Sequence, residues 1–189
     1  MAQVMIVGAG PTGLMLACDL RRAGVSVQLV DRAHRRLVAS RGAALHPRTM
    51  ELFDQRGIVD EFLAAGRPIS VAHFAGIHVD WSTLLTRFPY LFGVLQSVTE
   101  DILERCAHRL DVGVQWSAEV IGLQPHSEGV TVAVQGPGGS STSVWSTWSA
   151  ATARTARYAD SPASRSMGPT GVSSLCWVTW NWRTHREIG

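Results

Sequence analysis

The period of apolar positions changes twice within the first thirty residues. Val4-Met5-Ile6-Val7 is an unbroken apolar run, suited to a short parallel strand buried on both faces. Leu14, Leu16, Ala17 and Leu20 then recur at helical spacing, with Asp19, Arg21 and Arg22 expected on the solvated side. Gly24 stands where a helix ends, and Val25, Val27, Leu29 and Val30 return to a strand that closes on Asp31. Farther on, Pro47 opens a helix predicted to run to about Gln55 and to stop at Gly57. A second short helix is expected over residues 58–65, ended by Gly66. Residues 69–79 alternate as strands, with Gly76 as a turn or bulge. Residues 99–107 read as an amphipathic helix with acids in its first turn. Residues 112–116, 119–123 and 130–134 follow as strands, the last two joined as a hairpin through 125–129.

Between the first strand and the first helix lies Gly8-Ala9-Gly10-Pro11-Thr12-Gly13, and Asp31 comes eighteen residues after Gly13. Strand, glycine turn, helix, strand and acid in this order form a dinucleotide-binding signature, and each part has a physical task. Gly8 makes the tight turn, and Gly10 lets backbone N–H groups approach a pyrophosphate. Gly13 allows the helix to pack closely on the strand. The helix then points its positive end at the phosphates. Asp31 is placed to accept hydrogen bonds from ribose hydroxyls and to repel a 2′-phosphate, which disfavours NADP here. Candidate cofactor contacts are therefore Gly8, Gly10, Pro11, Thr12, Gly13, Asp31 and the adjoining Arg32. Two plainer readings stand beside this one. The turn could be a packing device in another βαβ unit, and Asp31 alone could be a solvated acid at a strand end.

Composition narrows the classes. The 189 residues suffice for one domain with a core, and no apolar run approaches a membrane span. No signal peptide is expected before the first strand. Cys18, Cys106 and Cys176 are odd in number and far apart, as expected of free thiols in a reducing cytoplasm. Cys18 and Cys106 fall in apolar helical patterns and are expected in the core. The seven histidines show no metal-ligand spacing, so no metal is expected. The formal charge of +2 arises wholly in residues 144–189, since residues 1–143 carry a net of −1, and this excludes a nucleic-acid partner.

The glycine turn, the segment Arg41-Gly42-Ala43-Ala44-Leu45-His46-Pro47-Arg48-Thr49-Met50-Glu51, and Phe88-Pro89-Tyr90 with Gln96 and Glu100 together resemble the FAD-dependent aromatic hydroxylases. Within them the resemblance is to the actinobacterial polyketide and rifampicin-type monooxygenases, over about residues 3–140. It implies an α/β, Rossmann-like FAD-binding fold with a parallel sheet, plus part of a substrate-domain β-sheet over residues 69–95. It also implies that Arg41 reaches the flavin and that Gln96 lies beside the ribityl chain. The implied chemistry is reduction of FAD by NAD(P)H followed by hydroxylation of a small aromatic or polyketide substrate with O₂. No catalytic residue is nominated, because no Ser–His–Asp order, metal cluster or activated thiol is visible.

From about Val144 the character changes. Five of the seven tryptophans fall in the last 46 residues, among Ser, Thr, Ala and Arg, with no strand or helical period. Codons read one base earlier let residues 147–159 encode Tyr-Val-Val-Gly-Cys-Asp-Gly-Ala-Asn-Ser-Thr-Val-Arg, which carries the Asp-Gly motif the resemblance calls for. Residues 176–183 likewise permit Leu-Gly-Asp-Val-Glu-Leu-Ala. A one-base frameshift between about Gly139 and Trp145 is therefore expected, with an out-of-frame stop after Gly189. Residues 1–143 would then form the FAD-binding part, and 144–189 an irregular, out-of-frame tail. Three functions follow: part of a working monooxygenase, a noncatalytic FAD-binding fragment of a disrupted gene, or a small NAD-dependent dehydrogenase. The segments 41–51 and 88–100 count against the third.

Overall fold

The computed structural model describes residues 4–36, 42–69, 72–74, 77–127, 129–145 and 147–150. Arg41, Gly76, Cys176 and everything from residue 151 onward lie outside the described residues. The chain opens with β1 (Val4–Val7), α1 (Pro11–Arg22) and β2 (Val27–Val30), as the apolar periods require. It continues through β3 (Ala44–Leu45), α2 (Pro47–Gln55), α3 (Val59–Ala65), β4 (Arg67–Ile69), β5 (Ala72–Phe74) and β6 (Ile77–Val79). A 3-10 turn (Trp81–Thr83), β7 (Leu91–Gly93), α4 (Gln96–Arg109) and β8 (Val114–Gln115) follow. The last elements are β9 (Glu119–His126), β10 (Gly129–Gly136), β11 (Gly139–Trp145) and β12 (Thr147–Ala150).

β12, β1, β2 and β8 form a parallel sheet in that order, with β1 between β12 and β2. Successive residues of a strand point to opposite faces, so one sheet serves two cores. Val4, Ile6 and Leu29 face the helices and join Leu14, Ala17 and Ile102 in the larger core. Met5 and Val30 face the other way, onto Val120, Val130, Val132, Val134 and Trp145 of the antiparallel β11–β10–β9 sheet. The result is helices, parallel sheet and antiparallel sheet in three layers. A second antiparallel group, β3–β7–β4, takes β3 from before α2 and takes β4 and β7 from between α3 and α4, where the β5–β6 hairpin also lies.

Several expectations change on folding. Asp19, Arg21 and Arg22 do not simply face water. Asp19 takes a two-pronged ion pair from Arg56 at 2.7 Å, and Arg21 donates to the Leu110 carbonyl at 3.0 Å. Arg22 reaches the Cys106 sulfur at 3.9 Å. These arginines thus tie α1 to α4, and Asp19 ties it to α2. α4 begins three residues earlier than its period suggested, so its first turn holds no acid. Glu100 falls in the second turn and is buried. Regular structure also runs past Val144. β11 ends on buried Trp145, whose indole N–H donates to Ser143 Oγ at 2.6 Å, and β12 pairs along the whole of β1. Pairing of β11 with β10, and of β12 with β1, makes these strands where the apolar period is weak.

Candidate functional site

The site grows from the carboxyl ends of β1 and β2, where ligands of open parallel sheets collect. Gly8 leaves β1 at φ 107°, in the left-handed region that favours glycine, and its N–H donates to the Val30 carbonyl at 2.8 Å. Ala9 N–H donates to one Asp31 carboxyl oxygen at 2.8 Å, and Ala33 N–H donates to the other at 2.8 Å. Asp31 therefore clamps the glycine turn to the loop that leaves β2. A carboxylate has about four acceptor positions, so roughly two remain for hydroxyl donors. Arg32 follows, exposed but engaged in a contact of its own.

Gly10 is the N-cap of α1 and Pro11 its first residue, so Thr12 and Gly13 occupy the positions whose N–H groups have no acceptor within the helix. No side chain caps this end, and its first turn carries no acid. A Cβ added to Gly10 would meet nothing within 4 Å. An uncapped helix start, open space beside the cap glycine and a strand-end acid fit a diphosphate carrying a hydroxylated ribose. Gly13 is buried.

The second candidate segment lies at the start of α4. Gln96 is the first helical residue, and its backbone N–H donates to the Gly42 carbonyl at 2.9 Å. Val94 N–H donates to the Ala43 carbonyl at 3.1 Å, which extends the same junction. The Gln96 side chain donates from Nε2 to Glu100 Oε1 at 2.7 Å. Arg36, at the other end of the segment that contains Arg41, pairs with Asp101 at 2.9 Å and Glu104 at 3.1 Å on α4. Residues 37–41 are thus bracketed by two attachments to one helix. The structure brings Gly8, Gly10, Pro11, Thr12, Gly13, Asp31 and Arg32 to one end of the sheet, while Gln96 stands with Gly42 on another segment.

Two arrangements were not legible in the sequence. Thr99 and Glu100 are the buried polar residues among those described. The i,i+4 spacing of Gln96 and Glu100 was the available signal. Cys18 and Cys106 are both buried, as expected, but they also face each other between α1 and α4. The Cys18 hydrogen bond lowers Cys106 to about 6, against burial, with the Arg22 and Arg109 guanidiniums adding to the lowering. That same hydrogen bond, with burial, pushes Cys18 up. Among the described residues no group of three or more His, Cys, Asp or Glu is placed to hold a metal, and no helix is long and apolar enough to cross a membrane.

Comparison with known proteins bears on the family and the fold. The model of an FAD binding domain matches residues 1–152. A 12-dehydrotetracycline 5-monooxygenase/anhydrotetracycline 6-monooxygenase of Streptomyces rimosus is 40% identical over 138 residues, covering 72% of this chain and 27% of that protein. A rifampicin monooxygenase of Streptomyces venezuelae is 37% identical over 134 residues, covering 70% of this chain and 28% of the other. The solved OxyS anhydrotetracycline hydroxylase from Streptomyces rimosus superposes with a TM-score of 0.75 at 36% identity, over 78% of this chain and 31% of its own. The chain spans under a third of the length of these relatives.

Proposed function

The chain belongs to the FAD binding domain family, and from that premise we propose that it binds FAD as the N-terminal portion of a flavin-dependent monooxygenase acting on aromatic, polyketide-type substrates. The observation that carries this reading is the clamp of Asp31 on Ala9, set beside the uncapped start of α1. Thr12 and Gly13 would give their N–H groups to the pyrophosphate, with Gly8, Gly10 and Pro11 shaping the approach, and Asp31 would accept from the adenosine ribose beside Arg32. Gln96 would meet the ribityl chain, and Arg41, next to Gly42, would reach the flavin. Bound FAD would supply redox chemistry, with NAD(P)H as reductant and O₂ as co-substrate. This chain's own part is to bind and orient that group. Hydroxylation belongs to the whole protein, because most of the relatives' length lies outside the segment matched. Free cysteines support a reducing, cytoplasmic setting.

Titration of the purified chain with ADP, FAD and FMN tests the reading. ADP and FAD should both bind, FAD more tightly, and FMN should bind least, because the adenosine and pyrophosphate contacts dominate. FAD should give a stoichiometric yellow complex in the visible spectrum. A protein that binds neither ADP nor FAD sinks the proposal.

The division of the chain at about residue 143 is proposed on the same footing. A parallel sheet with both faces covered calls for apolar strands. The place beside β1 is taken by Thr147–Ala150, where the shifted frame encodes Tyr-Val-Val-Gly. Resequencing of the gene tests this. Without a family-like continuation in the other frame, the frameshift is withdrawn.

A further inference from the structure

We propose that Glu100 is a positioning residue that sets the polarity of the Gln96 amide, so that Gln96 offers a hydrogen-bond acceptor rather than a donor towards Gly42 and the polyol of a bound flavin cofactor. The inference rests on the reading of this site as an FAD site and assigns Glu100 a role within it.

An amide side chain carries opposite characters at its two ends, and half a turn about its last torsion exchanges them. A carboxyl group facing it removes that freedom, because an acceptor selects the amide nitrogen. Here Gln96 Nε2 donates to Glu100 Oε1 at 2.7 Å, and the i,i+4 spacing on α4 keeps the two on one helix face. Glu100 is only 8% exposed, so little water competes for its oxygens. With the nitrogen held inward, Gln96 Oε1 turns to the Gly42 main chain and lies 3.8 Å from where a Cβ on Gly42 would stand. The bond from Gln96 N–H to the Gly42 carbonyl holds the two segments together at that point. A carbonyl oxygen keeps a second lone pair whatever else it accepts, so it can receive a ligand hydroxyl. An amide oriented before binding spares the ligand the cost of ordering it. A buried acid whose described partner is a neutral amide is accounted for by that orientation, since an apolar residue of similar volume would be easier to bury.

The test compares FAD with ADP, because ADP lacks the polyol. Glu100→Met fills the same volume without the acceptor, and Glu100→Gln keeps an acceptor oxygen. Glu100→Met should weaken FAD binding about tenfold while leaving ADP binding and the thermal midpoint unchanged or the midpoint raised. Glu100→Gln should stay within about threefold of the parent for FAD. Gln96→Met should reproduce the Glu100→Met loss, and the double variant should lose no more than either single one, since both act through one amide. Losses that add in the double variant, or that fall equally on ADP and FAD, would assign Glu100 a purely structural role and overturn the proposal. An unchanged FAD affinity in Glu100→Met overturns it too. If the parent binds ADP and FAD equally, the FAD site stands and this inference fails. If it binds neither, the site itself is wrong.

Discussion

The two ends of the candidate site are built in opposite ways. At the β1–α1 turn the groups proposed to bind are backbone N–H groups, held by residues close in sequence and by one acid. At the start of α4 they are side chains, and their placement depends on β3, β7 and the buried second turn of α4. The first end is local and rigid because a helix start and a left-handed glycine are dictated by a few neighbouring residues. The second is assembled across fifty residues of chain, held by main-chain bonds between Gly42, Ala43, Val94 and Gln96 and by the Gln96–Glu100 side-chain bond. Changes at the first end should therefore weaken ADP and FAD together without unfolding the protein. Changes at the second should alter how well FAD is distinguished from ADP.

The sharpest break in this contrast is Gly10→Asp. The cap position is extended, at φ −75° and ψ −179°, and nothing lies within 4 Å of an added Cβ. Aspartate caps helices better than glycine does, so stability should rise by a few tenths of a kcal/mol. Its charge sits where the pyrophosphate would bind, and ADP affinity should fall at least about a hundredfold, since anions are favoured there by the helix end. Calorimetric titration and thermal denaturation of one variant read both signs. Undiminished ADP binding would refute the local-end assignment.

Asp31→Asn is the next step down. The amide offers one carbonyl oxygen to two N–H donors, Ala9 and Ala33, so one of them faces an NH₂ group. A stability loss of about 1–2 kcal/mol is expected, with ADP and FAD weakened together by about tenfold. A loss confined to FAD would contradict the placement of Asp31 at the adenosine end.

Arg36→Ala probes the second end. It removes the half-exposed pairs with Asp101 and Glu104 and should cost no more than about 1 kcal/mol of stability. With one anchor of the 37–41 segment gone, FAD should lose about twofold to threefold relative to ADP. Equal weakening of both ligands would show that the bracket does not serve the flavin end.

The smallest effect concerns the cysteine pair between α1 and α4. Cys106 is lowered in the folded protein from an ordinary value near 9 to about 6. Its contribution to stability is therefore full above about 9 and lost as pH falls through 6. Cys18 is shifted the other way and opposes stability only above 9, which leaves the interval from 6 to 9 to Cys106. The difference in thermal midpoint between parent and Cys106→Ser should widen as pH rises across that interval. A difference that is flat with pH would show that Cys106 stays a neutral thiol.

Legibility followed the same division. β1 and α2 were readable to the residue, because an unbroken apolar run and a Pro-to-Gly bounded helix are local signals. α4 starts three residues before its period suggests, since Leu95 provides no side-chain cap and the cap-type residues Ser97 and Thr99 point to a later start. On the solvated side expected for α1, Arg22 is exposed, while Asp19 and Arg21 are half-buried because Arg56 and α4 supply partners that arrive from elsewhere in the chain. β11 and β12 were missed because pairing with β10 and β1, rather than their own apolar period, makes them strands.

By itself the sequence determined the β1–α1–β2 unit proposed as the nucleotide end: the order of strand, glycines, helix and acid leaves few ways to fold, and the strand, turn and helix each act on their immediate neighbours. The tertiary structure decided that Asp31 holds Ala9, that Cys18 meets Cys106, and that Gln96 lies with Glu100 on one side and Gly42 on the other. The physical reason is range. Backbone conformation and helix polarity are set within a few residues, whereas the direction in which a side-chain amide points is set by which buried group stands opposite it.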